Sequence, residues 1–157
     1  MAGSKQYLAL LEDIPYAAPS WDQLEQRWDR VTQWSEHHSK HPSDYYLKRL
    51  AATAFALLAK ERGTDLRSVI RDAKALHIAK NAGYAGADNP DPWANFRLAT
   101  LFGVTAAQGS LVRMSDKYIR IQNLRKDPSN DRVGESIMDT LADLAAYALI
   151  TICLGDT

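Results

Sequence analysis

Two long stretches with helical apolar periodicity close the chain, TAAQGSLVRMSDKYIRIQNLR from Thr105 to Arg125 and a second over residues 132–154, with the breaker segment KDPSNDR between them. A connection that short folds two helices back on one another, so the C-terminal third is expected to be an antiparallel helical hairpin. No segment elsewhere alternates apolar and polar residues convincingly enough for a strand. The fold class expected is all-α, a compact helical bundle with the hairpin at its end.

The first hundred residues read as further helices divided by proline and glycine. A short amphipathic helix over 5–12 ends at IPYAAPS, where Pro15 and Pro19 interrupt and Ser20 offers an N-cap. A second helix runs over 21–38 with Trp21, Leu24, Trp28 and Val31 on one stripe and Trp34 close to it. Such a stripe is read first as a packing face, with base stacking or a subunit contact as the alternatives. Pro42 and Ser43 introduce an alanine- and leucine-rich helix over 44–62 that Gly63 ends, and a fourth helix spans 65–81. Residues 82–92, AGYAGADNPDP, form the longest irregular stretch, followed by a short helix in WANFRLATLF.

A length of 157 residues, 46% of them apolar, suffices for one packed core and is too little for two, so residues 1–157 are expected to form a single domain. Lysine and arginine number 19, as do aspartate and glutamate, so there is no global positive field to draw in nucleic acid, and any anion must be met by a local cluster. The single cysteine, Cys153, lies in the apolar run ALITICL and is expected to be a buried, inert thiol. No secretory signal and no uninterrupted apolar run of about 18 to 20 residues stands out, and a cytoplasmic location without membrane contact is expected.

Charge chemistry concentrates in the hairpin. Glu135, Asp139 and Asp143 recur at i, i+4 and i+8 on the last helix, while Arg113, Asp116, Lys117 and Arg120 share a face of the helix before it. A turn centred near Ser129 would set Asp116 beside Asp143 and Arg120 beside Asp139. Two readings follow. In one, the carboxylates hold magnesium while Lys117 and Arg120 receive the phosphates of a nucleotide. In the other, a ladder of salt bridges, Arg120 with Asp139 and Lys117 or Arg113 with Asp143, fixes the helix register.

The segments KNAGYAGADNPDPWANFR, VRMSDKYIRIQNL and GESIMDTLADLAAYALI resemble the nucleotide modification associated domain 1 family of phages and prophages, over roughly residues 75–152. The motif positions are Lys80, Asn81, Tyr84, Asn95, Phe96, Asp116, Lys117, Arg120, Glu135, Asp139, Asp143 and Tyr147. Residues 1–74 lie outside the resemblance. It implies nucleotide metabolism or modification, and the acidic helices look similar to MazG-like nucleoside triphosphate pyrophosphohydrolases, which cut between the α- and β-phosphates. Those enzymes space paired carboxylates by three residues on each of two helices; here the spacing is four, and the first helix brings Asp116 with two cations.

The leading expectation is magnesium-dependent hydrolysis of a nucleoside triphosphate to monophosphate and pyrophosphate, in which Glu135 and Asp139 would be catalytic and would join Asp116 and Asp143 in holding magnesium. Lys117, Arg120 and Arg113 would bind phosphate, and Asn81, Tyr84 and Asn95 would line the base pocket, unless those three only close the loop. On the binding reading, the same residues retain a nucleotide or cyclic nucleotide uncleaved, as a phage protein sequestering a host defence signal would. A structural oligomer is the third reading, and a homo-oligomer is expected in any case.

Weaker signals are set aside. His37, His38 and His41 have no cysteine or carboxylate pattern around them and suit a solvated helix end. His77 reads as a semi-buried helix residue. Gly83 and Gly86 follow a helix rather than a strand, which is not the setting of a phosphate-cradling loop.

Overall fold

The computed structural model describes residues 2–37, 43–84, 91–131 and 136–155, with the side chains of residues 2, 35–37 and 82–84 outside that description. The described chain is all-α: α1 (Ala2–Glu12), α2 (Trp21–His37), α3 (Asp44–Arg62), α4 (Leu66–Tyr84), α5 (Ala94–Arg97), α6 (Ala106–Lys126) and α7 (Ile137–Leu154). Tight 3-10 turns follow α5 (Leu98–Phe102) and α6 (Pro128–Asn130).

The boundaries follow local chemistry. Ser20 caps α2 by accepting from Gln23 N, and Asp65 caps α4 by accepting from Ser68 N at 2.8 Å. Thr105 and Gln108 form a reciprocal capping box at the start of α6. Ser43 stands at the N-cap of α3 with extended backbone but makes no side-chain cap bond. Gly63 ends α3 in the left-handed region at φ 67, which lets Gly63 N and Thr64 N reach back to the carbonyls of Lys60 and Ala59.

α7 is the central helix. It packs along α3 on one flank and α6 on the other, with α1 crossing it; α2 and α4 lie against α3. Leu141, Leu144, Ala145, Ala148 and Leu149 of α7 are fully buried, as are Leu47, Leu50, Ala51, Ala54 and Leu57 of α3. Each large aliphatic side chain so buried contributes about 1.5–3 kcal/mol. By length and composition α7 is apolar enough to cross a membrane, which the expectation of no such segment did not anticipate; here 56% of it is buried inside the fold.

The tryptophan stripe of α2 is a packing face. Trp28 stacks on Tyr118 of α6 with ring centroids 4.9 Å apart, Trp34 meets Tyr46 edge-on, and Arg125 caps the ring of Trp21. Glu12 at the end of α1 pairs with Lys74 of α4, which ties the first helix down.

The α6–α7 seam carries one buried polar cluster. Ser110 Oγ and Thr151 Oγ1 lie 2.8 Å apart, and the Thr151 hydroxyl also bonds Tyr147 O at 2.7 Å. Thr151 has a single hydroxyl proton, which goes to Tyr147 O, so Ser110 is the donor between them.

Candidate functional site

The hairpin register differs from a symmetric turn about Ser129. α7 begins at Ile137, and Lys117 rather than Asp116 comes against Asp143, with Lys117 Nζ 3.0 Å from Asp143 Oδ2, one of the pairs the salt-bridge reading expected. Asp143 Oδ1 accepts from Lys80 of α4, also at 3.0 Å. Three of the motif positions therefore meet at one carboxylate, whose side chain is only 15% exposed. Arg120 bonds Asp131 in the turn at 2.9 Å, in place of the bond expected to Asp139.

The acidic stripe divides because its members have different tasks. Ser136 is the N-cap of α7 and Asp139 its third residue; each side chain bonds the other's backbone N–H, a capping box. Asp139 is therefore occupied with a helix end. Asp143, one turn on, faces cations, and Asp116 is exposed on α6. Glu135 lies outside the described residues, as do His38, His41 and the side chains of Tyr84 and His37.

Magnesium would need Asp116, Glu135, Asp139 and Asp143 to converge as oxygen ligands. Among the described residues no group of three His, Cys, Asp or Glu side chains comes together. Asp139 is engaged in its capping box, and both Asp143 oxygens are on ammonium groups.

Several motif residues, with Arg113 beside them, line a cavity of about 420 Å³. Lys80 and Asn81 enter it from α4, Asn95 and Phe96 from α5, Arg113 from α6, and Asp143 and Tyr147 from α7. Tyr7, His77 and Trp93 complete an aromatic wall that the sequence reading did not assemble. Ala73, His77, Lys80 and Asn81 recur at i, i+4, i+7 and i+8, so the α4 side was a legible stripe. Tyr7 belongs to the first helix and had no local signal. Arg120 is not part of the wall.

The wall is ordered by ring contacts. His77 lies 4.6 Å from the Tyr7 ring and 5.3 Å from that of Trp93, centroid to centroid, and its Nε2 is 3.1 Å from Ser4 Oγ. Phe96 meets Trp93 and Tyr147 edge-on. The Arg113 guanidinium sits over the Phe96 ring at 4.6 Å and pairs with no carboxylate among the described residues. Burial holds the His77 imidazole below its ordinary range, so it is neutral near pH 7. Asn81 Oδ1 is buried and meets no donor among the described residues. A buried amide oxygen in that condition costs about 1–3 kcal/mol unless a ligand supplies the bond.

The site is a mostly apolar, aromatic chamber of the size small-molecule sites have, with an unmet amide inside and cations along its wall. Planar rings with a few hydrogen-bonding groups and an anionic tail match it. No protein-family model, curated protein or solved structure matches the chain. The resemblance to the nucleotide modification associated domain 1 family therefore stands on its motif residues.

Proposed function

We propose that this protein binds a nucleotide or nucleotide-derived small molecule in the cavity between α4, α5, α6 and α7, and holds it without cleaving it. The base lies among Phe96, Trp93 and Tyr147, where ring stacking contributes about 0.5–1.5 kcal/mol per pair beyond buried area. Asn81 meets a polar edge of the base, and Asn95 lies near it. Arg113 receives phosphate, with Lys80 and Lys117 drawing on the same charge once Asp143 shares them. The observation that carries this reading is the convergence of Lys80, Asn81, Asn95, Phe96, Arg113, Asp143 and Tyr147, from separated segments, on one cavity. Sequestration of a nucleotide signal is the role such a site would serve in a phage-type protein.

Hydrolysis of a nucleoside triphosphate to monophosphate and pyrophosphate is the second reading, favoured by Asp143, a carboxylate in the same wall as the cations. One experiment separates the two. The chain is incubated with each nucleoside triphosphate, with and without magnesium; products are resolved, and ligand retained on the protein is quantified. Unchanged nucleotide that comigrates with the protein, and is lost in Arg113→Ala and Asn81→Ala, supports binding. Monophosphate with pyrophosphate supports hydrolysis. Neither result in any nucleotide sinks both.

A further inference from the structure

A second concavity, of about 220 Å³, opens between the loop after α1 and the helices α2 and α3. It is lined by Arg27, Arg49, Gln23, Tyr16 and Thr53, together with small residues. Its volume falls below the roughly 300 Å³ at which small-molecule sites begin, which leaves room for an ion-sized group.

The charge balance there is incomplete. Among the described residues neither Arg27 nor Arg49 pairs with a carboxylate. The contact Arg49 does make is with the Tyr45 ring, 5.4 Å from its guanidinium, and its buried Nε meets no acceptor. Desolvation first, then repulsion from Arg49 and Arg30, pulls the Arg27 guanidinium below its ordinary value, with Tyr45 acting the other way. Two guanidiniums that repel each other across a cleft, one with a buried N–H unmet, are stabilised by an anion between them. Planar forks of N–H donors suit the oxygens of phosphate, and a doubly charged ion answers two cations where a carboxylate answers one.

We propose that the Arg27–Arg49 cleft is an oxyanion site that takes a phosphate-sized dianion, separate from the aromatic cavity. Nothing in this proposal depends on what the cavity binds.

The test uses the full chain, titrated with inorganic phosphate and separately with acetate, at constant ionic strength set by sodium chloride, by calorimetry and thermal melting. Saturable phosphate binding that raises the melting temperature, weakened about tenfold or more by Arg27→Gln and by Arg49→Met, is the expected result. In phosphate-free buffer Arg27→Gln melts no lower than the parent, because it removes a like-charge contact; in phosphate the parent alone gains. That reversal keeps the test decisive should Arg49→Met fail to fold. Absence of saturable binding, an unchanged phosphate response in Arg27→Gln, its loss in Arg113→Ala instead, or acetate binding as tightly as phosphate would each overturn the assignment.

Discussion

Ser136 and Asp139 bond each other at the head of α7: Asp139 N donates to Ser136 Oγ at 3.1 Å, and Ser136 N donates to Asp139 Oδ2 at 3.3 Å. That reciprocity assigns the middle carboxylate of the acidic stripe to capping the start of a helix. Asp139→Ala is accordingly expected to lower stability by about 1 kcal/mol, the usual worth of a cap, and to leave nucleotide retention unchanged. Ser136→Ala should cost a similar amount and the double variant less than the sum, since both remove one motif. Urea melts and calorimetry check this; loss of ligand binding in Asp139→Ala would return that residue to the site.

Asp143 holds Lys80 and Lys117 together. Asp143→Asn keeps the shape but removes the negative charge that Lys80 and Lys117 share, so we expect a loss of about 1–3 kcal/mol in stability. Nucleotide binding should tighten in the same variant, because the cavity wall becomes more positive. Weaker binding would show that the carboxylate itself serves the ligand.

Arg113 is the cation of the cavity wall that stacks on Phe96 and meets no carboxylate among the described residues. Arg113→Ala is expected to reduce nucleotide affinity about tenfold or more, matching about 1.5–3 kcal/mol for a charge-assisted bond, with a milder loss for the nucleoside. Equal losses for nucleotide and nucleoside would place the phosphate elsewhere.

His77 gives the fold a pH dependence with a definite sign. Its folded value lies below the ordinary 6.5, so the unfolded chain binds the extra proton first. Its contribution is fully present above about pH 6.5 and is lost as pH falls through the lower folded value. Urea melts at pH 7.5 and pH 5 should show a drop in the parent that is smaller in His77→Gln; an equal drop would assign it to other groups.

Gly109 on α6 lies against Ala99 of the 3-10 turn, and a Cβ built there would fall 2.5 Å from the Ala99 methyl. Neither methyl can swing aside. Gly109→Ala should therefore be destabilising by about 1–3 kcal/mol in spite of the helix propensity gained, which is about 1 kcal/mol. A melting temperature at or above the parent's would mean the turn yields freely.

The helices were legible because their signals are local. Ser20, Asp65 and Gly63 mark ends within one turn of where they act, and the α2 stripe, read first as a packing face, buries Leu24, Trp28 and Val31. Cys153, expected to be buried in its apolar run, is half-buried, and that burial still pushes its thiol up to about 12. The start of α7 was misread because Ser136-x-x-Asp139 satisfies two patterns, a capping box and part of an acidic stripe, and spacing alone favours neither. At Asp143 the structure gives the Lys117 pair that the salt-bridge reading named, and not the Asp116 neighbour that a symmetric turn would set there. The cavity is half legible: Lys80, Asn81 and Asn95 stand out from the resemblance and Arg113 from its charged helix face, whereas Tyr7 and Trp93 reach it only through tertiary packing.

The hydroxyl pair Ser110 and Thr151 has a reach beyond its own two bonds. Thr151 lies eight residues beyond Asp143 on α7, about 12 Å along the axis. Sliding α6 one turn along α7 would press the Ser110 hydroxyl against hydrocarbon, at about 1–3 kcal/mol, while Thr151 kept its bond to Tyr147 O, a penalty that an apolar pair would not impose. The pair thus behaves as an indexing pin at the dry end of the seam. The alignment of Lys117 with Asp143, at the wet end, is inherited from atoms that no ligand touches.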